Sequence, residues 1–239
     1  MVLRIDEDEI SEPWMLRLKE CQNEIAALNP HPYYLAAYRQ QEFSYWQRIP
    51  RWIYLDVLER KPRNCLDIGC AYGTLLLYVK KLSNCDAYGT DFIDKYLSPA
   101  VVAKYNLHFC LNNIELDAFP WSYCYDSIIF TEVLEHLNFY AVPTLEKIGG
   151  LLSENGKLYL STPDAAQWGK TTKYYSSYKA MPMPSAALRS QVVDDHVWQF
   201  SQDELFDVIH AAGLEILRFD FAPGSPNQHF NLTLRKGTR

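Results

Sequence analysis

The chain has 239 residues, of which 48% are hydrophobic and 22% charged, a composition typical of a globular protein with one large domain. Its formal net charge of −6 does not supply the clustered Lys and Arg of a duplex-binding surface, so we expect no DNA partner. The sequence contains no apolar run near the roughly 18 residues of a membrane span and no signal-peptide pattern at its start. We therefore expect a cytoplasmic protein without a membrane partner.

The cysteines form no CxxC pair and no regular ladder of spacings. Several of them lie in apolar, strand-like runs, which favours buried, reduced thiols over disulfides or a metal site. The six are Cys21, Cys65, Cys70, Cys85, Cys110 and Cys124.

Residues 1–60 predict a helical N-terminal cover. The segment "WMLRLKECQNEIAAL" has near-helical apolar spacing and ends at "NPHP". A second helical stretch follows from Tyr33, and we expect Pro50 to interrupt it.

From residue 64 short β-rich segments alternate with longer helical ones, which predicts βαβ units, a parallel sheet and a second unit over 61–239. The expected strands are 64–68, 85–90, 106–110, 125–131, 157–162, 214–221 and 229–235. The expected helices are 74–83, 94–104, 138–152 and 201–212. The segment "APGSPNQ" leaves no room for a helix between the final two strands, so we expect them to pair antiparallel.

Residues 164–199 form an insertion far longer than the about 2–6 residues that such a connection usually needs. Within it, "KYYSSYKAMPMPS" combines tyrosines, methionines and prolines, which favours a lid over a simple helix. A disordered surface loop is the alternative interpretation.

The stretch "CLDIGCAYG" predicts a strand that ends near Asp67, a tight turn, and a helix that starts near Thr74. Gly69 and Gly73 allow the backbone of this turn to approach a ligand closely. The next strand ends in Asp91, whose carboxylate can accept two hydrogen bonds from ribose hydroxyls. Together these features predict a nucleoside-binding site.

Five segments, "LDIGCAYGTLL", "YGTDFI", "CLNNIELDAFPW", "YDSIIFTEVLEHL" and "GKLYLSTPD", follow one another as in class I S-adenosylmethionine-dependent methyltransferases. The resemblance covers roughly residues 60–235. It implies an α/β, Rossmann-like fold with a seven-stranded, mostly parallel sheet, helices on both faces and an antiparallel last strand. It also implies S-adenosylmethionine as cofactor.

The resemblance assigns roles at the cofactor site. The turn with Asp67, Gly69 and Gly73 passes under the methionine part, and Asp91 holds the ribose. Asn113 stands where an aspartate is frequent, and its carbonyl can accept from the adenine amine.

Other residues of the same segments are assigned with less specificity. Ala71 replaces a glycine common in the family, which predicts a less constrained turn. Phe92 and Ile114 would sandwich the base, and Cys70 and Tyr72 line the turn, with ordinary core or surface positions as the alternative. A dinucleotide-binding dehydrogenase is disfavoured, because the spacing is G-x-x-x-G rather than G-x-G-x-x-G.

Methylation of oxygen or nitrogen requires removal of a proton near the ends of strands four and five. Glu132, His136 and His196 are the predicted catalytic residues, and Glu132 also borders the cofactor. With Glu135 they resemble the metal-binding set of small-RNA 3′-end 2′-O-methyltransferases, but similar motifs occur in small-molecule methyltransferases that need no metal. We predict no metal, with that set as the alternative.

The sequence therefore predicts methyl transfer to a small polar molecule, with oxygen as the acceptor atom. Metal-assisted methylation of an RNA 3′ end is an alternative, which the mixed charges of the insertion disfavour, and a non-catalytic cofactor-binding protein is another. An aromatic N-terminal block would either close the cofactor site or pack on a second subunit, so a homodimer is left open. That block comprises Tyr33, Tyr34, Tyr38, Phe43, Tyr45 and Trp46.

Overall fold

A computed structural model describes residues 12–171, 173–222 and 228–237 of the chain. Its seven-stranded sheet has the order β3-β2-β1-β4-β5-β7-β6, and only β7 runs antiparallel to its neighbours. The strands are β1 (Asn64–Ile68), β2 (Asp86–Asp91), β3 (His108–Leu111), β4 (Tyr125–Thr131), β5 (Leu152–Pro163), β6 (Leu214–Phe221) and β7 (His229–Lys236). The predicted fold class is confirmed. Most of the expected "APGSPNQ" connection, and the start of the N-terminal segment, lie outside the described residues.

Helices cover both faces of this sheet. They are α1 (Pro13–Leu28), α2 (Arg39–Trp46), α3 (Arg48–Glu59), α4 (Thr74–Ser83), α5 (Pro99–Tyr105), α6 (Ala141–Leu151), α7 (Ala165–Trp168) and α8 (Gln202–Ala211). A π-helix, Tyr34–Tyr38, precedes α2. Among the described residues there are also three 3₁₀ turns, Leu134–His136, Tyr178–Ala180 and Ala186–Gln191. Within the described ranges, none of the helices combines the length and hydrophobicity needed to cross a bilayer.

Local chemistry explains where the helices differ from expectation. Pro50 does not interrupt its helix, because it lies in the first turn of α3, where its missing N–H would have no intrahelical partner. Helix α5 starts five residues later than expected, at Pro99, because the Ser98 hydroxyl caps it by accepting from the Ala100 N–H at 3.2 Å.

Each face of the sheet has its own hydrophobic core. Helices α6 and α8 pack on one face together with the 164–199 insertion, which contributes Tyr178 and Trp198 to the core. Helices α1, α3 and α4 form the other core, where the buried Tyr78 hydroxyl donates to Pro50 O at 3.0 Å. The N-terminal helices and the insertion are thus both packed against the sheet.

The cysteine prediction holds for four of the six thiols. Cys21, Cys65, Cys70 and Cys85 are buried, whereas Cys110 is half-buried and Cys124 is exposed in the loop before β4. All six are free thiols. Cys124 lies one residue before β4, outside the expected strand, and the loop there leaves it exposed.

A buried polar network joins the N-terminal helices to α4. Glu42 of α2 is 3% exposed, and its carboxylate accepts from Thr74 Oγ1 at 2.6 Å and from Gln22 Nε2 at 2.8 Å. Burial raises the pKa of Glu42 to about 8 from the ordinary 4.5. The folded protein therefore keeps a proton on Glu42 that the unfolded chain releases near its ordinary pKa.

This difference predicts a pH-dependent stability. Between pH 4.5 and 8 the folded state binds the extra proton, so Glu42 lowers the free energy of unfolding by about 1.4 kcal/mol per pH unit as the pH rises. In Glu42→Gln we expect the free energy of unfolding to lose this slope of about 1.4 kcal/mol per pH unit, as measured by urea unfolding across this range. Glu146→Gln, at an exposed position of α6, is the matched control. Parallel curves for wild type and Glu42→Gln would show that Glu42 does not hold this proton.

Candidate active site

The sequence-predicted site lies at the carboxyl ends of the central strands. The strand order reverses between β1 and β4, and parallel α/β sheets bind ligands in the crevice at such a point. Gly69 follows β1, Asp91 ends β2, and Glu132 follows β4. The fold therefore brings three of the predicted residues to one edge of the sheet.

The turn after β1 is tightly constrained. Gly69 has a φ of +71°, and a Cβ atom there would lie 2.4 Å from Val133 Cγ2. Ala71 is also left-handed, with a φ of +44°. Its N–H donates to Asp91 Oδ2 at 3.0 Å, which holds the backbone in a conformation that alanine disfavours. The expectation that Ala71 loosens the turn was wrong.

Asp91 is both a structural and a binding group. Its Oδ1 accepts from the Ile93 N–H at 3.1 Å, so each carboxylate oxygen already has one backbone donor. Each oxygen retains a second acceptor site, which suits the hydroxyls of a ribose. Burial raises the pKa of Asp91 above its ordinary value, while three backbone N–H groups favour the ionised form.

Two adjoining cavities open on this edge. A narrow slot of about 40 Å³ and a larger cavity of about 320 Å³ share five lining residues. These are Gly69, Asp91, Phe92, Val133 and His136. The predicted base-binding residues Asn113 and Ile114 line the slot.

The larger cavity contains all three predicted catalytic residues, Glu132, His136 and His196. Glu135 of the alternative metal set and the predicted cofactor residue Tyr72 also line it.

Three predicted cofactor residues lie in the turn or at the end of β1 without lining either cavity. Asp67, Cys70 and Gly73 are not among the residues that line either of these cavities. Asp67 is 3% exposed, and burial together with the neighbouring Asp91 charge raises its pKa to about 8. Cys70 is 6% exposed. The structure thus gives these residues contacts that shape the turn.

The expected adenine contact of Asn113 needs correction. Its Oδ1 already accepts from the N–H groups of Glu115 at 3.0 Å and Leu116 at 3.1 Å, which uses both lone pairs in a local turn. The neighbouring Asn112 also lines the slot, is 7% exposed and donates through Nδ2 to Ala118 O. Its buried Oδ1 has no partner among the described residues and is free to accept from a ligand amine.

The two site histidines are in contact. The rings of His136 and His196 meet edge to face, with centroids 4.7 Å apart. Burial lowers the pKa of both, and the His196 charge lowers that of His136 further, so the neutral imidazoles are favoured. Gln199 Oε1 accepts from the Thr171 N–H, so its Nε2 faces His196 Nδ1 at 3.1 Å as donor. The proton of neutral His196 therefore lies on Nε2.

Two carboxylates complete the site. Glu132 has a left-handed φ of +55°, and its Oε1 accepts from Ser161 Oγ at 2.6 Å. Glu135 is 1% exposed and accepts from Thr162 Oγ1 at 2.8 Å. Burial, together with the Glu132 charge, raises the pKa of Glu135 well above its ordinary value.

The walls of the larger cavity are aromatic and acidic. Three members of the N-terminal aromatic block, Tyr33, Tyr38 and Tyr45, line it, whereas Tyr34 and Trp46 are buried in the core. Four acidic side chains also line it, of which Glu135 is favoured in its neutral form by its raised pKa, and none of the described lining residues is Lys or Arg. The cavity thus offers negative charge and π-faces to a ligand.

Sequence reasoning missed His229 and Asn112. His229 lies on β7 and lines the larger cavity. Polar and apolar residues alternate along this strand, and both kinds are buried from His229 to Leu234. A row of polar residues along a buried strand indicates polar partners, and this signal was available. The sequence does not define the end of β3 to within one residue, so it could not show which of the adjacent Asn112 and Asn113 has a free acceptor.

Comparison with known families identifies the chain. The model of a family described as "Methyltransferase domain" matches residues 38–218. The chain belongs to the class I S-adenosylmethionine-dependent methyltransferases. Among curated proteins, no significant match is found.

Solved methyltransferase structures share the fold. The O-methyltransferase from a trans-AT PKS multienzyme of Brevibacillus brevis, bound to S-adenosyl-L-homocysteine, aligns with a TM-score of 0.62 and 18% identity over 89% of this chain and 78% of that one. Magnesium protoporphyrin IX methyltransferase from Synechocystis PCC 6803 aligns with a TM-score of 0.58 and 16% identity over 83% of each chain. The 1,6-didemethyltoxoflavin-N1-methyltransferase of Burkholderia thailandensis aligns with a TM-score of 0.56 and 14% identity over 95% of this chain and 92% of that one.

The cofactor of this methyltransferase is S-adenosylmethionine. The residues present fit its nucleoside. The slot between Phe92 and Ile114 is apolar enough for a base, Asn112 offers an unpartnered acceptor, and Asp91 offers a fixed carboxylate.

This geometry predicts the effect of removing the carboxylate. We expect Asp91→Ala to weaken binding of S-adenosylhomocysteine by about 2–4 kcal/mol, the value of one or two charge-assisted hydrogen bonds. Isothermal titration calorimetry measures this change, and thermal unfolding checks that the variant is folded. Asp86→Ala, at the exposed start of the same strand, is the matched control. Equal affinity of wild type and Asp91→Ala would place the ribose elsewhere.

Proposed function

We propose that this methyltransferase methylates a hydroxyl oxygen of a small, neutral or cationic molecule. The observation that carries the proposal is the lining of the larger cavity, where carboxylates and aromatic rings meet without Lys or Arg among the described lining residues. An anionic acceptor would face uncompensated like charges there. A planar or cationic group would gain contacts with the ring faces.

The size of the cavity supports a small acceptor. Its volume of about 320 Å³ lies at the lower end of small-molecule sites, and the methionine part of the cofactor would share it. Helix α7 and the following insertion border it through Trp168 and His196, so they would help to select the acceptor. This supports the predicted lid role of 164–199.

The cofactor assignment follows from the two cavities. Asp91 would bind the ribose hydroxyls, Asn112 the adenine amine, and Phe92 with Ile114 the faces of the base. The turn after β1 would carry the methionine part into the larger cavity. When bound there, the cofactor supplies an electrophilic methyl group on a sulfonium.

Three side chains are placed to handle the acceptor. His136 is neutral because of its burial and the neighbouring His196, and it can take the hydroxyl proton. His196 presents an Nε2–H that can donate to an acceptor oxygen. Glu132, 14% exposed in its side chain, offers a carboxylate that can accept from the hydroxyl before transfer.

One observation supports metal-assisted methylation as a second candidate. Ligand atoms of Glu135, His136 and His196 lie within 4.8 Å of one another, close enough for a divalent ion. Glu132, the fourth residue of the alternative set, instead contacts Ser161 and His229. The Nε2 proton on His196 also disfavours ligation, since a ligating imidazole donates through its other nitrogen.

The test is methyl transfer to a series of acceptors that differ in charge. Purified protein is incubated with radiolabelled S-adenosylmethionine and dopamine, 4-methylcatechol or protocatechuate, which share a catechol but are cationic, neutral and anionic. Benzylamine and an oligoribonucleotide with a free 3′ end are added as amine and RNA acceptors, each with EDTA or Mn²⁺. We expect transfer to the cationic or neutral catechol at least about tenfold faster than to the anionic one, and unaffected by EDTA.

Each other outcome contradicts the proposal in a defined way. Preference for protocatechuate would contradict the charge argument, and preference for benzylamine would contradict an oxygen acceptor. Manganese-dependent transfer to the RNA end would support the second candidate. Binding of S-adenosylhomocysteine without transfer to any of these acceptors would favour a non-catalytic protein.

A further inference from the structure

Glu132 is held in an uncommon conformation by two neighbours. Its backbone is left-handed at φ +55°, and its N–H donates to Ser161 O at 2.9 Å. Ser161 Oγ donates to one carboxylate oxygen at 2.6 Å, and His229 Nδ1 lies 2.9 Å from the other. A non-glycine residue in this region usually carries a cost of about 1–2 kcal/mol, and such outliers concentrate at functional sites.

His229 is a buried histidine that the proposed chemistry does not use. It is 1% exposed, at the start of β7, and its backbone O accepts from the Ala222 N–H at 3.0 Å. Its ring packs against Tyr45 at 4.7 Å and edge to face against Trp168 at 5.3 Å. Its Nε2 has no hydrogen-bond partner among the described residues. The ring is thus fixed by aromatic contacts on two sides.

The support for this ring extends into the N-terminal helices. Asn231, on the same face of β7 as His229, is completely buried. Its Nδ2 donates to Tyr45 O at 2.9 Å, and its Oδ1 accepts from the Arg48 N–H at 3.2 Å. Tyr45 is therefore held in place over the imidazole.

We propose that His229 is a positioning residue that orients the Glu132 carboxylate toward the methyl acceptor. The two atoms are close, but the contact does not have hydrogen-bond geometry, so the imidazole acts on the carboxylate through the dipole of its N–H group. A carboxylate at this distance favours the tautomer with the proton on Nδ1. Ser161 then holds one oxygen through a hydrogen bond and the His229 N–H faces the other, which restricts rotation of the carboxylate.

This inference rests on the proposed function, because a fixed direction of the Glu132 carboxylate matters only if that carboxylate binds the acceptor hydroxyl. In the transfer, the acceptor oxygen forms the O–CH₃ bond, the S–CH₃ bond breaks with its electron pair returning to sulfur, and the hydroxyl proton passes to His136. Glu132 keeps its charge throughout and holds the hydroxyl before the transfer. A misaligned acceptor would lower the rate without changing the affinity for the cofactor.

The first test reads the tautomer of His229 directly and requires neither donor nor acceptor. Long-range ¹H–¹⁵N spectra of the labelled full chain resolve both ring nitrogens, and the signals lost in His229→Asn assign them. We expect Nδ1 to carry the proton in wild type and in the control Glu146→Gln. In Glu132→Leu, which leaves Nδ1 without an acceptor, the protonated nitrogen should change, or both tautomers should appear.

The second test separates positioning from packing. His229→Asn keeps an N–H donor near the position of Nδ1, whereas His229→Leu fills the space without one. With the faster of the two catechols, dopamine or 4-methylcatechol, we expect kcat of His229→Leu and Ser161→Ala to fall by about tenfold to a hundredfold. His229→Asn should retain more activity than His229→Leu, and all three should bind S-adenosylhomocysteine within about twofold of wild type.

Two results would overturn the inference. One is an Nε2-protonated His229 in wild type, or a tautomer that Glu132→Leu leaves unchanged. The other is equal activity of the Asn and Leu variants, which would indicate a packing role. The spectra are recorded without substrates, so the tautomer result does not depend on methyl transfer. A failure of methyl transfer alone would contradict the proposed function and not this inference.

Discussion

The hydrogen bond between the Asp91 carboxylate and the Ala71 N–H is the constraint on which the site depends. It joins the end of β2 to the turn after β1 and holds that turn left-handed at a residue that is not glycine. The side chain of Val133, which follows β4, occupies the space where a Cβ atom on Gly69 would lie. Strands β1, β2 and β4 thus position one main-chain turn, and the slot and the larger cavity adjoin it.

Burial sets the electrostatics around this turn. Among the described residues, Asp67 and Glu42 both have pKa values raised to about 8, and Glu115 at the slot has one raised to about 7. The same desolvation lowers the pKa of His136 and His196. The lowered pKa values keep the two imidazoles neutral and available for proton transfer near neutral pH. Tyr33, Tyr38 and Tyr45 of the N-terminal helices contribute part of the aromatic wall of the larger cavity.

The sequence predicted the sheet well because its signals were local. Apolar runs, the glycine turn and the acid at the end of β2 place the strand ends within one or two residues, except that β5 begins at Leu152, five residues before the expected start. Contacts between distant segments were not predictable in this way. The approach of His229 to Glu132 depends on the pairing of β7 with β5, and the loss of Asn113 as a free acceptor depends on the geometry of its own turn. Whether an aromatic residue such as Tyr34 or Tyr45 faces the core or the cavity also depends on packing, which the helical pattern does not reveal.

A crystal structure of the full chain with S-adenosylhomocysteine tests the central claim most directly. The account predicts adenine between Phe92 and Ile114 with its amine at Asn112 Oδ1, ribose hydroxyls on the Asp91 carboxylate, and the sulfur facing the larger cavity beside Glu132 and His136. Density for the nucleoside outside the slot, or a ribose that does not contact Asp91, would contradict it.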